Sequence, residues 1–346
     1  NAIVRDADPI AMDRRLRAWS PREADAYRNF CSLIIRQRRL LDRYLAEGLG
    51  QKVPKRATLD ILKDAGQDGM LEAAALYSGS IRDSLDRAFE SDLLKSVFLA
   101  GALEGPFSGM GLGPWSPTSG LALLFDPLTL QAYNAPWQRR RVKGGRKAVI
   151  TTLQEFIAAA GGTFIRDAKV TEVVNAKGVA KAVALEGGQY IEAAEIIADV
   201  DIKRAAFSMI DWKTLPEERA LGIANIRSRA QVAQANFELS QWPQPKRLHE
   251  SFLRNGTLHI SDGLEKTERA FDDWKAGRLS ENCPIQFEVW EDNGKILATA
   301  FIHFVPGALS EGDWDDKTKV GLIGQVVKSL AGIAPGFEKT LVDARL

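Results

Sequence analysis

The chain has 346 residues, 45% of them hydrophobic, and its positive and negative side chains nearly cancel at 46 Lys+Arg against 45 Asp+Glu. That is chain enough for two or three packed units. The charge balance excludes the global positive field that nucleic-acid binding draws on, and "WQRRRVKGGRK" (137–147) is the one concentrated basic patch.

Two distant cysteines, Cys31 and Cys283, and three histidines, His249, His259 and His303, show no metal-ligand or disulfide spacing. No run reaches the roughly 20 apolar residues of a spanning helix, and no signal-peptide pattern opens the chain. A soluble protein of a reducing, cytoplasmic compartment, without metal, is the expectation. Asn1-Ala2 stand ahead of "IVRDADPIAMDRRL" without an initiator methionine, which reads as a trimmed end.

In chain order, "PREADAYRNFCSLIIRQRRLLDRYLAEGL" (21–49) carries apolar residues at three-to-four spacing behind a Ser20-Pro21 start, which predicts a long amphipathic helix. Arg36, Arg38, Arg39 and Arg43 fall on or beside its polar face, read as solvated. Shorter helical patterns cover 59–64, 71–77, 81–88 and 92–102, so the first third is mainly helical. "GMGLGPWSPTSG" (109–120) resembles a phosphate loop in its glycines alone. No strand precedes it, Pro114-Trp115 interrupt it, and no helix follows in register, so it reads as an irregular loop whose glycines allow close approach or positive φ. The run "SGLALLFDPL" is helix or strand, undecidable by periodicity.

A helix then follows "KGG" and stops at Gly161-Gly162. Strand patterns come next at 163–175, 178–185 and 189–201, the last two joined by a Glu186-Gly187-Gly188 turn. Beyond Pro216 the pattern predicts strands at 231–239 and 256–260, a helix at 264–275, two long strands in "PIQFEVW" and "KILATAFIHFV" hinged at Asp292-Asn293-Gly294, and a last helix at 316–330. His259 and His303 alternate with apolar neighbours and read as packed or edge histidines, and Glu288 and Glu291 as outward carboxylates. No catalytic residue is legible.

The segments "KGGRKAVITTLQEFIAAAGGTFIRDAKVTEVV" and "KGVAKAVALEGGQYIEAAEIIADVDIKRA" resemble the central flavin-domain segment of the phytoene dehydrogenase-related flavoproteins, within the amine oxidase and carotenoid desaturase superfamily. "WSPREADAYRNF", "FESDLLKSVFLAG", "NGTLHISDGLEKTERAFDDWKAGRLSENCPIQFEV" and "GKILATAFIHFVPGALSEGDWDD" resemble the same family's substrate-domain segments, in the same order. Family members open on a GxGxxG unit and close on a second flavin-binding segment, and neither motif stands in this sequence.

The resemblance implies an α+β chain. Residues 1–140 are the helical part of a substrate domain, 141–208 the central helix and β-meander remnant of an FAD-binding domain, and 209–346 a mixed part with a largely antiparallel sheet. It implies an FAD-dependent parent protein that takes hydride from an apolar, isoprenoid-like substrate, with room for a peripheral membrane contact. The isolated chain is then expected to be inactive, without tightly bound flavin, and to self-associate through surface the absent segments would cover. The competing reading is a non-catalytic module for an apolar ligand or partner.

Carried over by residue, the resemblance assigns cofactor proximity to Gly144 and Gly145 at the turn into the flavin domain, to Val170 on a strand whose backbone faces the adenine, and to Ala198 and Asp199 where the returning strand ends. It assigns Phe107, Met110, Leu112 and Trp115, in and beside the glycine-rich loop, to an apolar substrate passage.

Overall fold

The computed structural model describes residues 3–6, 8–48, 55–104, 111–132, 142, 145–176, 178–227, 229, 231–249 and 251–346. The fold is α+β, and the chain divides into two compact units, one built from Asn1–Arg140 with Arg229–Leu346 and the other from Arg141–Ser228.

The first unit begins with α1 (Pro9–Trp19), absent from the sequence-based reading. Asp8 caps it by accepting from the Ile10 N–H, Pro9 occupies its first turn, and Met12 and Leu16 are its buried pair one turn apart. α2 (Pro21–Gly48) follows its predicted course, with Phe30, Cys31 and Ile34 in the core.

The arginine face of α2 is less solvated than its spacing suggests. Arg36 pairs with Glu72 and Arg43 with Asp64, each at 2.8 Å. Arg38 is only 3% exposed, stacks its guanidinium 4.4 Å from the Phe125 ring centroid, and donates to Asp42 and the Leu124 carbonyl. A flat cation with a long stem tolerates such a site when its donors are met.

α3 (Lys55–Ser78) joins the two predicted short helices through a break at Gly66, whose φ of 66° lies outside the helical region. α4 (Ile81–Ala88) opens on a Ser80/Asp83 capping box, and α5 (Asp92–Glu104) is buried along most of its second half. The undecided "SGLALLF" run is a 3-10 helix, Ser119–Phe125, leading through Asp126 into α6 (Pro127–Ala132).

The second unit holds α7 (Gly145–Ala159) and an antiparallel meander of β1 (Val170–Ala176), β2 (Val179–Leu185) and β3 (Tyr190–Glu192). Two strands are shorter than their patterns predict. Residues 163–169 bend at Asp167, with φ 53°, before pairing begins at Val170, and the register with β2 ends at Glu192, followed by one backbone bond from Ala193 N to the Lys181 carbonyl at 3.1 Å. α8 (Ile202–Arg204) runs on as a π turn through Met209, and α9 (Glu217–Ala224) completes the unit.

Back in the first unit come β4 (Val232–Leu239), α10 (Ser251–Asn255), β5 (Leu258–Ile260), α11 (Leu264–Lys275), β6 (Ile285–Asp292), β7 (Lys295–His303), α12 (Asp316–Ile333) and β8 (Leu341–Arg345). The strands form a five-stranded sheet in the order β5-β6-β7-β4-β8, antiparallel at every pairing. The β6–β7 hairpin turns through Asn293 and Gly294, both at positive φ (49° and 77°), the backbone a two-residue turn of this hand requires.

Strand alternation gives the sheet two faces. Ala235, Phe237, Leu239, Ile285, Phe287, Val289, Ala298, Ala300 and Ile302 pack with Leu322, Val326 and Leu330 of α12 into one core. A second core joins α1 to α5, the 3-10 helix, α11 and Phe304 just past β7. No described helix is long and apolar enough to cross a membrane.

Candidate functional site

The sheet face opposite α12 carries the alternate residues: His259 on β5, Gln286 and Glu288 on β6, Thr299, Phe301 and His303 on β7, Gln234 and Asn236 on β4. Pairing sets His259 beside Gln286 and Val232 beside His303. Their polar groups are linked side by side. Thr299 Oγ1 donates to Asn236 Oδ1 at 2.6 Å, and Gln234 Nε2 donates to the same oxygen at 2.9 Å. Glu288 Oε1 accepts from Thr257 at 3.0 Å and from Gln286 at 3.2 Å.

At the β5 end of this face His259 Nε2 lies 2.6 Å from Oε1 of Glu104, the last residue of α5. The carboxylate is nearly enclosed, at 8% side-chain exposure, while the imidazole is 28% exposed. A carboxylate held at one ring nitrogen fixes the orientation of the ring.

His303 differs in kind. It is 3% exposed, and its Nδ1 has no hydrogen-bond partner among the described residues. Burial, reinforced by the charge of His259 and only partly opposed by Glu104, pushes its pKa down to about 4, so the ring is neutral at pH 7. The next residue, Phe304, is fully buried with φ 60°, a left-handed backbone that a bulky side chain rarely adopts. An orphaned ring nitrogen, a strained neighbour and a carboxylate–imidazole pair thus gather at one end of the sheet. The packed-or-edge reading describes both histidines, since His303 is packed and His259 lies on the edge strand. What the sequence concealed is Glu104, 155 positions before its partner histidine, at the end of a helix whose second half is otherwise apolar.

The glycine-rich loop offers no phosphate cradle over its described residues. Its amides are already engaged: Gly111 N donates to Gln231 Oε1 at 2.8 Å, Gly113 N to Ser116 Oγ at 2.9 Å and Trp115 N to Glu268 Oε2 at 3.0 Å. A Cβ at Gly113 would stand 2.2 Å from the Phe271 ring, so this glycine serves a close approach to α11. Leu112 is half-buried, and Trp115 is exposed with the Arg82 guanidinium 4.5 Å from its ring centroid. Phe107, Met110 and Gly144 lie outside the described residues.

The remaining cofactor candidates belong to the second unit. Gly145 begins α7 with φ 65° and open space where a Cβ would point, Val170 is the half-buried first residue of β1, and Ala198 and Asp199 are exposed beyond β3. No hydrogen bond or ion pair joins these four, and the buried polar atoms without partners, on Asp13, Glu23, Gln37 and His303, all lie in the other unit. By themselves these residues do not fit a flavin dinucleotide, whose pyrophosphate calls for convergent backbone amides at a strand-to-helix turn.

No family model matches the chain. Among solved structures, the PF1083 protein from Pyrococcus furiosus is similar over 84% of this chain and 63% of its own, at 14% identity and a TM-score of 0.50. An oxidoreductase from Methanosarcina mazei is similar over 85% of this chain and 63% of its own, at 12% identity and a TM-score of 0.45. The chain thus spans a little under two thirds of the length of either protein, and likeness at such identity is one of fold.

Proposed function

We propose that this chain is the substrate-binding domain, together with the middle of the flavin domain, of an FAD-dependent oxidoreductase resembling the phytoene dehydrogenases and acting on a largely apolar substrate. The observation that carries this reading is the division of the chain. The stretch resembling the central flavin segment, 143–201, falls within a compact unit of its own, while the stretches resembling the substrate domain, before and after it in sequence, pack into the other.

In this reading the polar sheet face receives the substrate. Phe301 and Leu297 supply apolar area among Thr299, Gln286 and Glu288, and His259, held by Glu104 at Nε2, offers Nδ1 as the site where a proton is accepted or returned. FAD, where the longer protein holds it, supplies the hydride acceptor. The pyrophosphate site belongs to chain outside this sequence.

Two outcomes test the reading. The product of the complete gene, purified without added cofactor, is expected to be yellow, with a flavin absorbance band close to one equivalent. This chain, mixed with excess FAD and gel-filtered, is expected to retain almost none. A colourless complete product would remove the oxidoreductase reading and leave a ligand-binding module. A stoichiometric flavin on this chain would show that its own residues suffice.

The second unit also exposes much apolar surface, with Ile150 and Leu153 each 55% and Phe156 69% exposed on α7. The isolated chain is therefore expected to self-associate as concentration rises. Sedimentation velocity should show a growing average mass that Ile150→Glu with Phe156→Glu suppresses, whereas an invariant monomer would count against a role for this surface.

A further inference from the structure

The hydrogen bonds on the polar face of the five-stranded sheet determine what its amides have left to offer. Gln234 Nε2 donates to Asn236 Oδ1 at 2.9 Å and to Thr299 Oγ1 at 3.1 Å, and Thr299 Oγ1 donates to the same Asn236 oxygen at 2.6 Å. Both protons of the Gln234 amide and both lone pairs of the Asn236 carbonyl are thereby engaged. The network orients the two side chains. What remains is one acceptor, Gln234 Oε1, and one donor, Asn236 Nδ2, both on exposed residues two positions apart on β4. Thr299, which anchors the pair, is 5% exposed, and Gln286 on β6 is 6% exposed. Polar groups enclosed to that degree are held for their hydrogen bonds rather than for contact with water.

A donor and an acceptor side by side select for a group that is itself both. A hydroxyl satisfies the two together, whereas a carboxylate can use only Asn236 Nδ2 and an ammonium only Gln234 Oε1. The lysine and arginine of this face are already taken, Lys295 by Glu238 and Arg345 by Asp343, so an anion gains no further counterion from them. A pure hydrocarbon would strip water from both amides and return nothing. Apolar area stands further along the same face. Trp290 and Leu297 pair across β6 and β7 two residues beyond Glu288 and Thr299, roughly 7 Å away at about 3.4 Å per residue. Trp290 is 37% exposed and Leu297 half-buried. Hydrogen-bonding groups thus occupy the middle of the face and apolar ones its hairpin end.

We propose that the molecule this face receives is an alcohol: a largely apolar body ending in one uncharged hydroxyl, which donates to Gln234 Oε1 and accepts from Asn236 Nδ2 while the body extends over Leu297 towards Trp290. The inference rests on the reading that the polar sheet face is the substrate site, and it narrows the substrate class from hydrocarbons to molecules with a hydroxyl end.

The probes are 1-octanol, its isomer methyl heptyl ether, which accepts but cannot donate, and octanoate. In the full chain labelled with 15N at its 8 tryptophans, the Trp290 indole signal, assigned through Trp290→Phe, is expected to shift saturably with octanol. The ether should bind about fivefold more weakly, the difference expected for one hydrogen bond between neutral groups, and octanoate more weakly than the ether. Gln234→Leu, at an exposed position, should make octanol and ether equal by removing the acceptor. Equal affinities in the native chain, a preference for octanol that survives Gln234→Leu, or tighter binding of octanoate would each overturn the proposal and leave the oxidoreductase reading standing, since the flavin content of the complete protein tests that reading separately. No saturable shift at Trp290 with any probe would overturn the proposal and remove this face as a binding site. The three probes on the native chain remain decisive should Gln234→Leu fail to fold.

Discussion

Asp126→Ala is expected to cost the first unit about 3–5 kcal/mol, the penalty typical of removing one partner from a buried ion pair. Asp126 is fully buried at the junction of the 3-10 helix and α6. Both its oxygens take the Arg5 guanidinium, which also donates to Thr129 and, through Nε, to the Tyr27 hydroxyl at 3.0 Å. The same guanidinium stacks 4.7 Å from the Phe98 ring centroid. Burial alone would lower the Arg5 pKa, but the Asp126 carboxylate outweighs it and keeps the group charged. Without Asp126 that charge has no counterion in the core.

Gly101 of α5 makes room for the pair, because a Cβ there would stand 1.9 Å from Asp126 Oδ1. Gly101→Ala should therefore destabilise in the same direction by displacing the carboxylate. Arg5→Met combined with Asp126→Leu should recover much of the loss, since apolar side chains of similar volume avoid the desolvation of both charges. Urea unfolding followed by helical circular dichroism measures all three. A loss under about 1 kcal/mol for Asp126→Ala would show the pair to be hydrated, as an exposed one is.

The second large effect is one of pH. His303 titrates near 6.5 when unfolded and about 4 when folded. Between those values the unfolded chain binds a proton that the folded chain refuses. The stabilisation is complete above pH 6.5, declines as pH falls, and is exhausted below about 4, where both states are protonated. The shift corresponds to roughly 3 kcal/mol. Stability measured from pH 7 to 4 should fall more steeply for the native chain than for His303→Gln, which lacks this proton. Nitrogen chemical shifts should show the His303 ring neutral at pH 5.5. Parallel stability profiles would mean that water reaches the ring.

What the sequence made legible follows from how local each signal is. α2 and the β6–β7 hairpin were readable because a helical stripe, a period-2 alternation and an Asn-Gly turn are written within a few residues. β8 was not, because "LVDAR" on an edge strand offers no strong alternation and takes its conformation from β4. Strand length at 163–175 was overestimated because apolar residues such as Phe164 and Ile165 looked like a buried face but are 46% and 60% exposed.

Charged residues were the least legible. Arg38 reads as solvated and Asp126 gives no signal, because the Leu124 carbonyl that receives the one and the Arg5 guanidinium that pairs with the other lie 86 and 121 positions away. The same holds for Glu104 and His259, where neither residue alone distinguishes an ion pair from a solvated side chain. Of the loop residues assigned to the substrate passage, Leu112 is half-buried, and Trp115 meets Glu268 of α11 and the Arg82 guanidinium.

The engaged amides of the glycine-rich loop also bear on the order in which the protein assembles during synthesis. Gly111 and Trp115 wait for partners 120 and 153 positions downstream. At about 5–20 residues per second, a ribosome leaves that loop without Gln231 for on the order of ten seconds. Over the same interval the meander of β1 to β3 emerges complete, with every pairing partner less than twenty residues away. The unit that starts second can therefore close first, while the earlier helices hold an unfinished surface. A chaperone that shields nascent chains would find residues 111–115 open over that interval.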